Sequence, residues 1–489
     1  MTARPPRVTL APGLEVPRLL TGLWQVADLE RGGTPLDREA ASDALVAYAD
    51  AGFDGFDMAD HYGTAELIAG RAREKLAARD GDTAARFLTK WCPAPGWLTA
   101  RDVRAGVRER LERLGVARVD LLQLHWWTFA HPGWIDVMDE LAAMQGEGLI
   151  GALGVTNVDA DHLHMMRAEG WPVATNQVSF SAVDRRAAGD LSAVCAEQGV
   201  KLLAYGTLCG GFLSDGWVGA AEPAAVDDWS KMKYRRFIAA AGGWAAFQRL
   251  LTALAQVARR HGASLSAVAL RWVLDHPAVA CAIVGARLTE RQHRAGGLAA
   301  FDLALDDEDR AALAEGFAAL RPIPGDCGDE YRRPPFLTAS GDLSHHLDAI
   351  PPAFPAQEVR PGRWRVSTGS VWEPLAGYSR AVRVGERVLA SGTTATHGAD
   401  RALCAGDARG QAVHALDRIA AALGALGAGM DDVVRTRIWL ARAEDWEAVS
   451  RVHGRALAGA LPANTLVEVG RLVGPYLVEI EAEAVIDPA

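Results

Sequence analysis

The sequence predicts a (β/α)8 TIM barrel of the α/β class joined to a smaller α+β domain. Three observations carry this. The chain has 489 residues, more than one hydrophobic core organises, so two or three domains are expected. Between about residues 18 and 320, eight short apolar runs alternate with amphipathic stretches, and strand–helix alternation repeated eight times closes a barrel. Past a proline-rich stretch the pattern changes to hairpin, helix and alternating strands.

The eight runs are RLLTGLW, GFDGFD, RFLTK, VDLLQLH, IGALGV, PVATNQV, VKLLAYG and CAIVGA. The helix pattern is clearest from Thr99 to Leu114. Thr99 is placed to cap it, Val103, Val107, Leu111 and Leu114 share one face, and Gly115 stops it. An open doubly wound sheet is the rival, but the glycine fingerprint expected after its first strand is absent. A long connection runs from LLAYG to a helix starting near Trp244. In a barrel it is an enlarged loop on the catalytic face.

Residues 321–361 hold Pro322, Pro324, Pro334, Pro335, Pro351, Pro352, Pro355 and Pro361 with little periodicity, which reads as a stiff linker. From 362 to 489 the order is β-β-α-β-α-β-β. Gly385-Glu386 form a two-residue hairpin turn, and Asp407 to Leu426 a long Ala-rich helix. The expected domains are therefore 1–320 and 362–489.

A net charge of -10, mixed in sign, argues against a nucleic-acid partner. No apolar run is long enough to span a bilayer, and the first residues lack the apolar core of a secretory signal. Cys92, Cys195, Cys209, Cys281, Cys327 and Cys404 form no C-x-x-C pair, so neither a zinc knuckle nor a disulfide framework is indicated. His162 and His164, two apart on a helix, point in different directions and suggest no metal site. The expectation is a cytoplasmic protein without metal or membrane.

Chemistry gathers at the strand ends. Asp57 and Tyr62 follow the second run, Lys90 ends the third and His125 the fourth. In a barrel these positions meet at the C-terminal mouth. Singly each has a plain reading: a capping carboxylate, a packed phenol, a solvated lysine, a core histidine. Together they fit one task. A phenol of pKa ~10 is a poor acid at neutral pH. A neighbouring ammonium is expected to lower that value. A carboxylate holds the ammonium, and a neutral imidazole orients a carbonyl. Such a set protonates an alkoxide as hydride arrives.

On these residues the chain resembles the aldo-keto reductase family over 18–318, and DMADHYG reproduces its Asp-x4-Tyr-Gly spacing. The resemblance implies that Asp57, Tyr62, Lys90 and His125 are the catalytic tetrad and that NADPH is the cofactor. It implies that Thr156, Asn157 and Gln177 hold the nicotinamide carboxamide and that Tyr205 stacks on the ring. Arg287, with Gln292 as a second contact, is expected at the 2′-phosphate. Two positions depart from the family pattern: Val284 stands where proline is common and Gly296 where asparagine is usual. Trp24 and Trp126 are expected to line a channel for a small carbonyl compound with a flat apolar body.

Residues 364–487 resemble the Rid (reactive-intermediate deaminase, YjgF-like) family in GYSRAVRVG, ASGTTAT, DVVRTRIWL and YLVEIEAEA. This implies a chorismate-mutase-like fold, a homo-trimer, and a cleft pocket that binds or hydrolyses enamines or imines. Tyr378 and Glu479 match pocket positions. Of Glu479 and Glu481 only one is expected to face inward. The arginine that follows P-A in active members is Asn464 here. Two alternatives stand beside the coupled reading: the second domain is a non-catalytic scaffold, or the barrel is an NADPH-binding sensor.

Overall fold

Short apolar runs buried on both faces form parallel strands, and the computed structural model, which describes residues 4–26, 36–81, 84–226, 228–288, 296–332 and 351–487, shows this eight times. Ahead of the barrel, β1 (Arg7–Ala11) and β2 (Leu14–Pro17) pair as a hairpin. Then β3 (Leu19–Gly22), β4 (Gly55–Asp57), β5 (Arg86–Trp91), β6 (Val119–Leu124), β7 (Ile150–Thr156), β8 (Val173–Ser179), β9 (Lys201–Tyr205) and β10 (Val279–Gly285) close in the order β10-β3-β4-β5-β6-β7-β8-β9, all parallel. Every run read from the sequence is one of these strands.

The hairpin packs Leu10, Leu14 and Val16 against Leu20, Leu88, Leu121 and Leu203. Lys201, first residue of β9, donates to the Thr9 carbonyl. The hairpin thus covers the end where the strands begin and leaves the other end for chemistry. Helix ends follow their local codes. The Thr99 side chain accepts from the Asp102 amide, Asp102 answers on the Thr99 amide, and Gly115 ends the helix at φ 64°. The long connection after β9 contains the helix Trp229–Ala240.

The second sheet is built from β11 (Ala356–Arg360), β12 (Arg363–Val366), β13 (Ala381–Val384), β14 (Arg387–Thr393), β17 (Val433–Leu440), β18 (Ala463–Glu468) and β19 (Val478–Val485). Its order is β11-β12-β13-β14-β19-β17-β18. A two-stranded ribbon, β15 (Thr396–His397) with β16 (Arg401–Ala402), stands beside it. The strands β13, β14, β17, β18 and β19 and helices Ala408–Ala425 and Trp446–Ala456 follow the predicted order. Two strands are extra: β11, from the stretch read as linker, and β12 just past it, the two pairing as a hairpin. All five residues of β11 are exposed, so no alternation of hydropathy announces it.

The two domains dock through helix Ala160–Ala168 of the barrel and helix Ala408–Ala425 of the second domain, where one apolar cluster continues from one to the other and ion pairs surround it. His162 meets Asp417 at 3.1 Å, His164 meets Asp407 at 2.8 Å and His397 meets Asp136 at 2.8 Å. Arg401 binds Asp139 and Glu169, and Arg409 binds Asp161. The two helix histidines, directed to different carboxylates, therefore serve one interface. Among the described residues no single helix is long and apolar enough to cross a membrane.

Candidate active site

The loops that follow the strands extend the parallel ladder and aim side chains into the mouth. The Met58 amide donates to Leu88 O and the Asp60 amide to Lys90 O. Gly63, at φ 59°, turns the chain after Tyr62 into helix Ala65–Asp80. Asp57, Lys90 and His125 are buried together. Lys90 Nζ lies 2.7 Å from Asp57 Oδ2 and 5.3 Å from the centre of the Tyr62 ring. Asp57 Oδ1 accepts from Gln177 Nε2 at 2.7 Å and from Gln123 Nε2 at 3.3 Å. The structure thus brings all four tetrad positions to one place.

Two electrostatic outcomes differ in sign. Burial, with His61 and Lys90 nearby, holds the His125 imidazole well below its ordinary pKa, so it is neutral as expected. Burial and then Asp57 push the Tyr62 phenol well above its ordinary value. That corrects the expectation of a lowered phenol pKa. Asp57 matches the charge of Lys90 at ion-pair distance, so desolvation decides.

A cavity of about 580 Å³ runs from Trp24, Tyr62, Lys90 and His125 to Lys231, Ser264 and Arg287. Thr156, Asn157, Gln177 and Tyr205 line it. Asn157 sits at φ 58°. Its Oδ1 accepts from Tyr205 OH at 2.8 Å, and its Nδ2 lies 3.2 Å from His125 Nε2. The buried Thr156 hydroxyl has no hydrogen-bond partner. Arg287 stands exposed at the rim, 3.1 Å from Asp228. Gln292 lies outside the described residues.

Trp24 lines the cavity and packs edge-on against Tyr62, ring centres 4.9 Å apart. Trp126 does not line it, contrary to expectation. It is buried and donates from Nε1 to Thr128 O. Trp127 does not line it either; it is buried behind His125, ring centres 4.3 Å apart. The cavity also holds Lys233 and Tyr331, which sequence reasoning missed. Nothing in the sequence marks Tyr331, since it lies in the stretch read as linker. Asp60, His61 and Cys92 each bring one ligand atom within 4.8 Å of the others, but Asp60 is already taken by the Cys92 amide and by His61.

In the second domain, Tyr378 OH accepts from Arg380 Nη2 at 3.0 Å, and Arg380 Nη1 donates to Gly392 O at 2.6 Å. The Glu479 carboxylate lies over Gly392, where an added Cβ would come within 2.0 Å of Oε1. Burial raises the Glu479 pKa. Asn464 is apart, on edge strand β18, donating to Thr436 Oγ1 at 2.9 Å. Glu479 and Glu481 face the same way, because residues two apart on a strand share a face. That corrects the expectation that only one turns inward.

The Aldo/keto reductase family model matches residues 18–316, and the Endoribonuclease L-PSP family model matches residues 368–486. Protein tas of Escherichia coli is 29% identical over 210 residues, 39% of this chain and 59% of that protein. The chain therefore spans about three fifths of that relative. The glycerol dehydrogenase of Gluconobacter oxydans superposes with a TM-score of 0.52 at 26% identity, covering 64% of this chain and 95% of that one. Rv2704 of Mycobacterium tuberculosis, from the YjgF/YER057c/UK114 family, is 43% identical over 25% of this chain and 99% of its own, with a TM-score of 0.23. A barrel matched almost from end to end, with a buried Lys–Asp pair beneath a tyrosine at its mouth, makes this chain a member of the aldo/keto reductase family with a YjgF-type region behind its barrel.

Proposed function

We propose that the barrel reduces an aldehyde or ketone to an alcohol with NADPH. The observation that carries this is the Lys90–Asp57 ion pair, buried below Tyr62 and beside a neutral His125 at one end of a long cavity. The cavity fits a dinucleotide. It reaches from the tetrad to Arg287, and the unpartnered Thr156 hydroxyl lines it. Thr156, Asn157 and Gln177 would hold the carboxamide, Tyr205 the ring face and Arg287 the 2′-phosphate. When bound, the cofactor supplies the hydride.

The chain's own residues supply the proton. The raised pKa of Tyr62 keeps its hydroxyl protonated until charge builds on the carbonyl oxygen. Lys90, fixed by Asp57, then stabilises the phenolate left behind. Neutral His125 orients the carbonyl, and Trp24 walls the approach. The sensor alternative gives no reason for a buried proton donor. The test is NADPH oxidation across a panel of aldehydes, ketones and imines. Tyr62→Phe is expected to lower kcat by at least ~100-fold, and unchanged turnover would overturn the assignment.

For the second domain we propose a trimerising module. The barrel covers helix Ala408–Ala425, and the opposite sheet face stays open with Leu389 and Val467 exposed. A neutral Asn464 cannot make the bidentate charge pair that a substrate carboxylate needs. A scaffold, or a pocket for an imine lacking a carboxylate, fits better than an amino-acid imine deaminase. Light scattering on the full chain checks this: three copies are expected, and a monomer refutes it. Six free cysteines accord with a reducing, cytoplasmic setting.

A further inference from the structure

We propose that the C-terminal domain shapes the barrel's catalytic cavity, Asp417 acting through His162, Asp159 and Arg332 to hold Tyr331 beside His125. This rests on the carbonyl-reductase reading of that cavity.

After the barrel's last helix, Asp307–Ala318, residues 326–332 fold back across the mouth. Two anchors hold them. Glu330 is fully buried and pairs with Arg186 at 2.9 Å. Arg332 donates to the Asn157 carbonyl, lies 3.4 Å from Asp159 Oδ2, and sits 4.7 Å over the Phe129 ring. Gly328, at φ 91°, allows the close approach, since a Cβ there would lie 2.1 Å from Asn157 O. Between the anchors, Tyr331 turns into the cavity. Its hydroxyl accepts from Lys233 Nζ at 2.6 Å, and its ring stands edge-on to His125 with centres 5.2 Å apart.

The second anchor leads out to the other domain. Asp159 faces Arg332 and also His162 Nδ1, the latter at 2.8 Å. His162 stacks on Phe129 at 3.7 Å and reaches Asp417 through Nε2 at 3.1 Å. Asp159 is thus shared by two cations, Arg332, which also meets Asp329 at 3.3 Å, and His162, which also meets Asp417. Without Asp417 the His162 ring loses the partner that fixes its Nε2 edge, and with it the orientation that stacks it on Phe129 and holds Asp159, the two groups against which Arg332 is placed. The Asp159–Arg332 contact then loses its support, and with it the placement of Tyr331. The consequence is substrate selection: a fixed Tyr331 narrows the space over His125.

Two measurements on the full chain test this. In the first, hydrogen exchange is followed by mass spectrometry. Asp417→Asn is expected to speed exchange in residues 326–332 at least ~10-fold. Arg401→Gln, which breaks a different cross-domain pair, is expected to leave it unchanged. His162→Gln repeats the test if Asp417→Asn folds poorly. In the second, kcat/KM is compared for a bulky and a small aldehyde. Tyr331→Ala and Asp417→Asn are expected to shift the ratio the same way, chiefly through KM. Unchanged exchange in Asp417→Asn and His162→Gln refutes the coupling, as does an equal effect of Arg401→Gln. A wild-type chain that reduces no carbonyl compound fails the functional reading instead, and the exchange result still decides the coupling.

Discussion

Replacing Asp57 by asparagine strands a buried positive charge. Lys90 and Asp57 are each 3% exposed, and Asp57 is the carboxylate at ion-pair distance from Lys90 among the described residues. Asp57 also receives the side-chain amides of Gln177 and Gln123. Asparagine offers one acceptor oxygen in place of two and presents an N–H2 group to a ring of donors. Breaking a buried pair by removing one partner costs about 3–5 kcal/mol. An unmet buried donor costs roughly 1–3 kcal/mol, and the two terms overlap because they share atoms. The expected loss is about 4 kcal/mol, with turnover abolished. Urea denaturation followed by tryptophan fluorescence measures it, each transition fitted separately because a two-domain chain does not unfold in one step. Adding Lys90→Met removes the stranded ammonium and is expected to recover at least ~2 kcal/mol of that loss. If the double variant is no more stable than Asp57→Asn alone, or the single variant stays within ~0.5 kcal/mol of the parent, the buried-charge argument is wrong.

Other perturbations follow from the same packing. Gly70→Ala would ordinarily stabilise a helix by ~1 kcal/mol. Here the new Cβ meets the Arg113 backbone carbonyl at 2.5 Å, so calorimetry should show a loss of about 1–3 kcal/mol. His125 is held below its free pKa of 6.5, so its contribution is full above that pH and is lost as pH falls beneath it. His162 is raised to about 10, so its contribution is full below 6.5, declines as pH rises and is gone above about 10. Melting temperature against pH should therefore fall on both sides of near-neutral pH. His125→Gln should flatten the acid limb and His162→Gln the alkaline one; unchanged limbs would contradict the assignment. If the proposed use of NADPH holds, Arg287→Ala should erase its advantage over NADH, and a preserved ratio removes Arg287 from the phosphate site.

The barrel was legible because its signals are local and repeated. Each strand reads as a short run buried on both faces, and Thr99 and Gly115 mark helix ends by their own side-chain chemistry. The N-terminal hairpin and β11 were not, for different reasons. The hairpin buries Leu10, Leu14 and Val16 against a barrel end that exists only once the strands have closed. Strand β11 buries nothing, and its place comes from pairing with β12.

The meeting of Asp57, Tyr62, Lys90 and His125 was legible because a parallel barrel brings consecutive strand ends together, so sequence order already encodes proximity. That logic fails wherever the partner is distant in sequence. His162 and His164 were set aside as a poor metal pair, yet each finds a carboxylate more than two hundred positions away. Tyr331 reaches His125 from a stretch whose composition predicts only a tether. The sign of the Tyr62 shift was missed for a related reason. Sequence spacing showed an ammonium near a phenol but not how closely Asp57 would match that ammonium, nor how fully the site would be closed to water. Residue types and order can say which groups meet. Which term then governs their charge depends on depth, and depth is set by the whole fold, including the domain packed behind helix Ala160–Ala168.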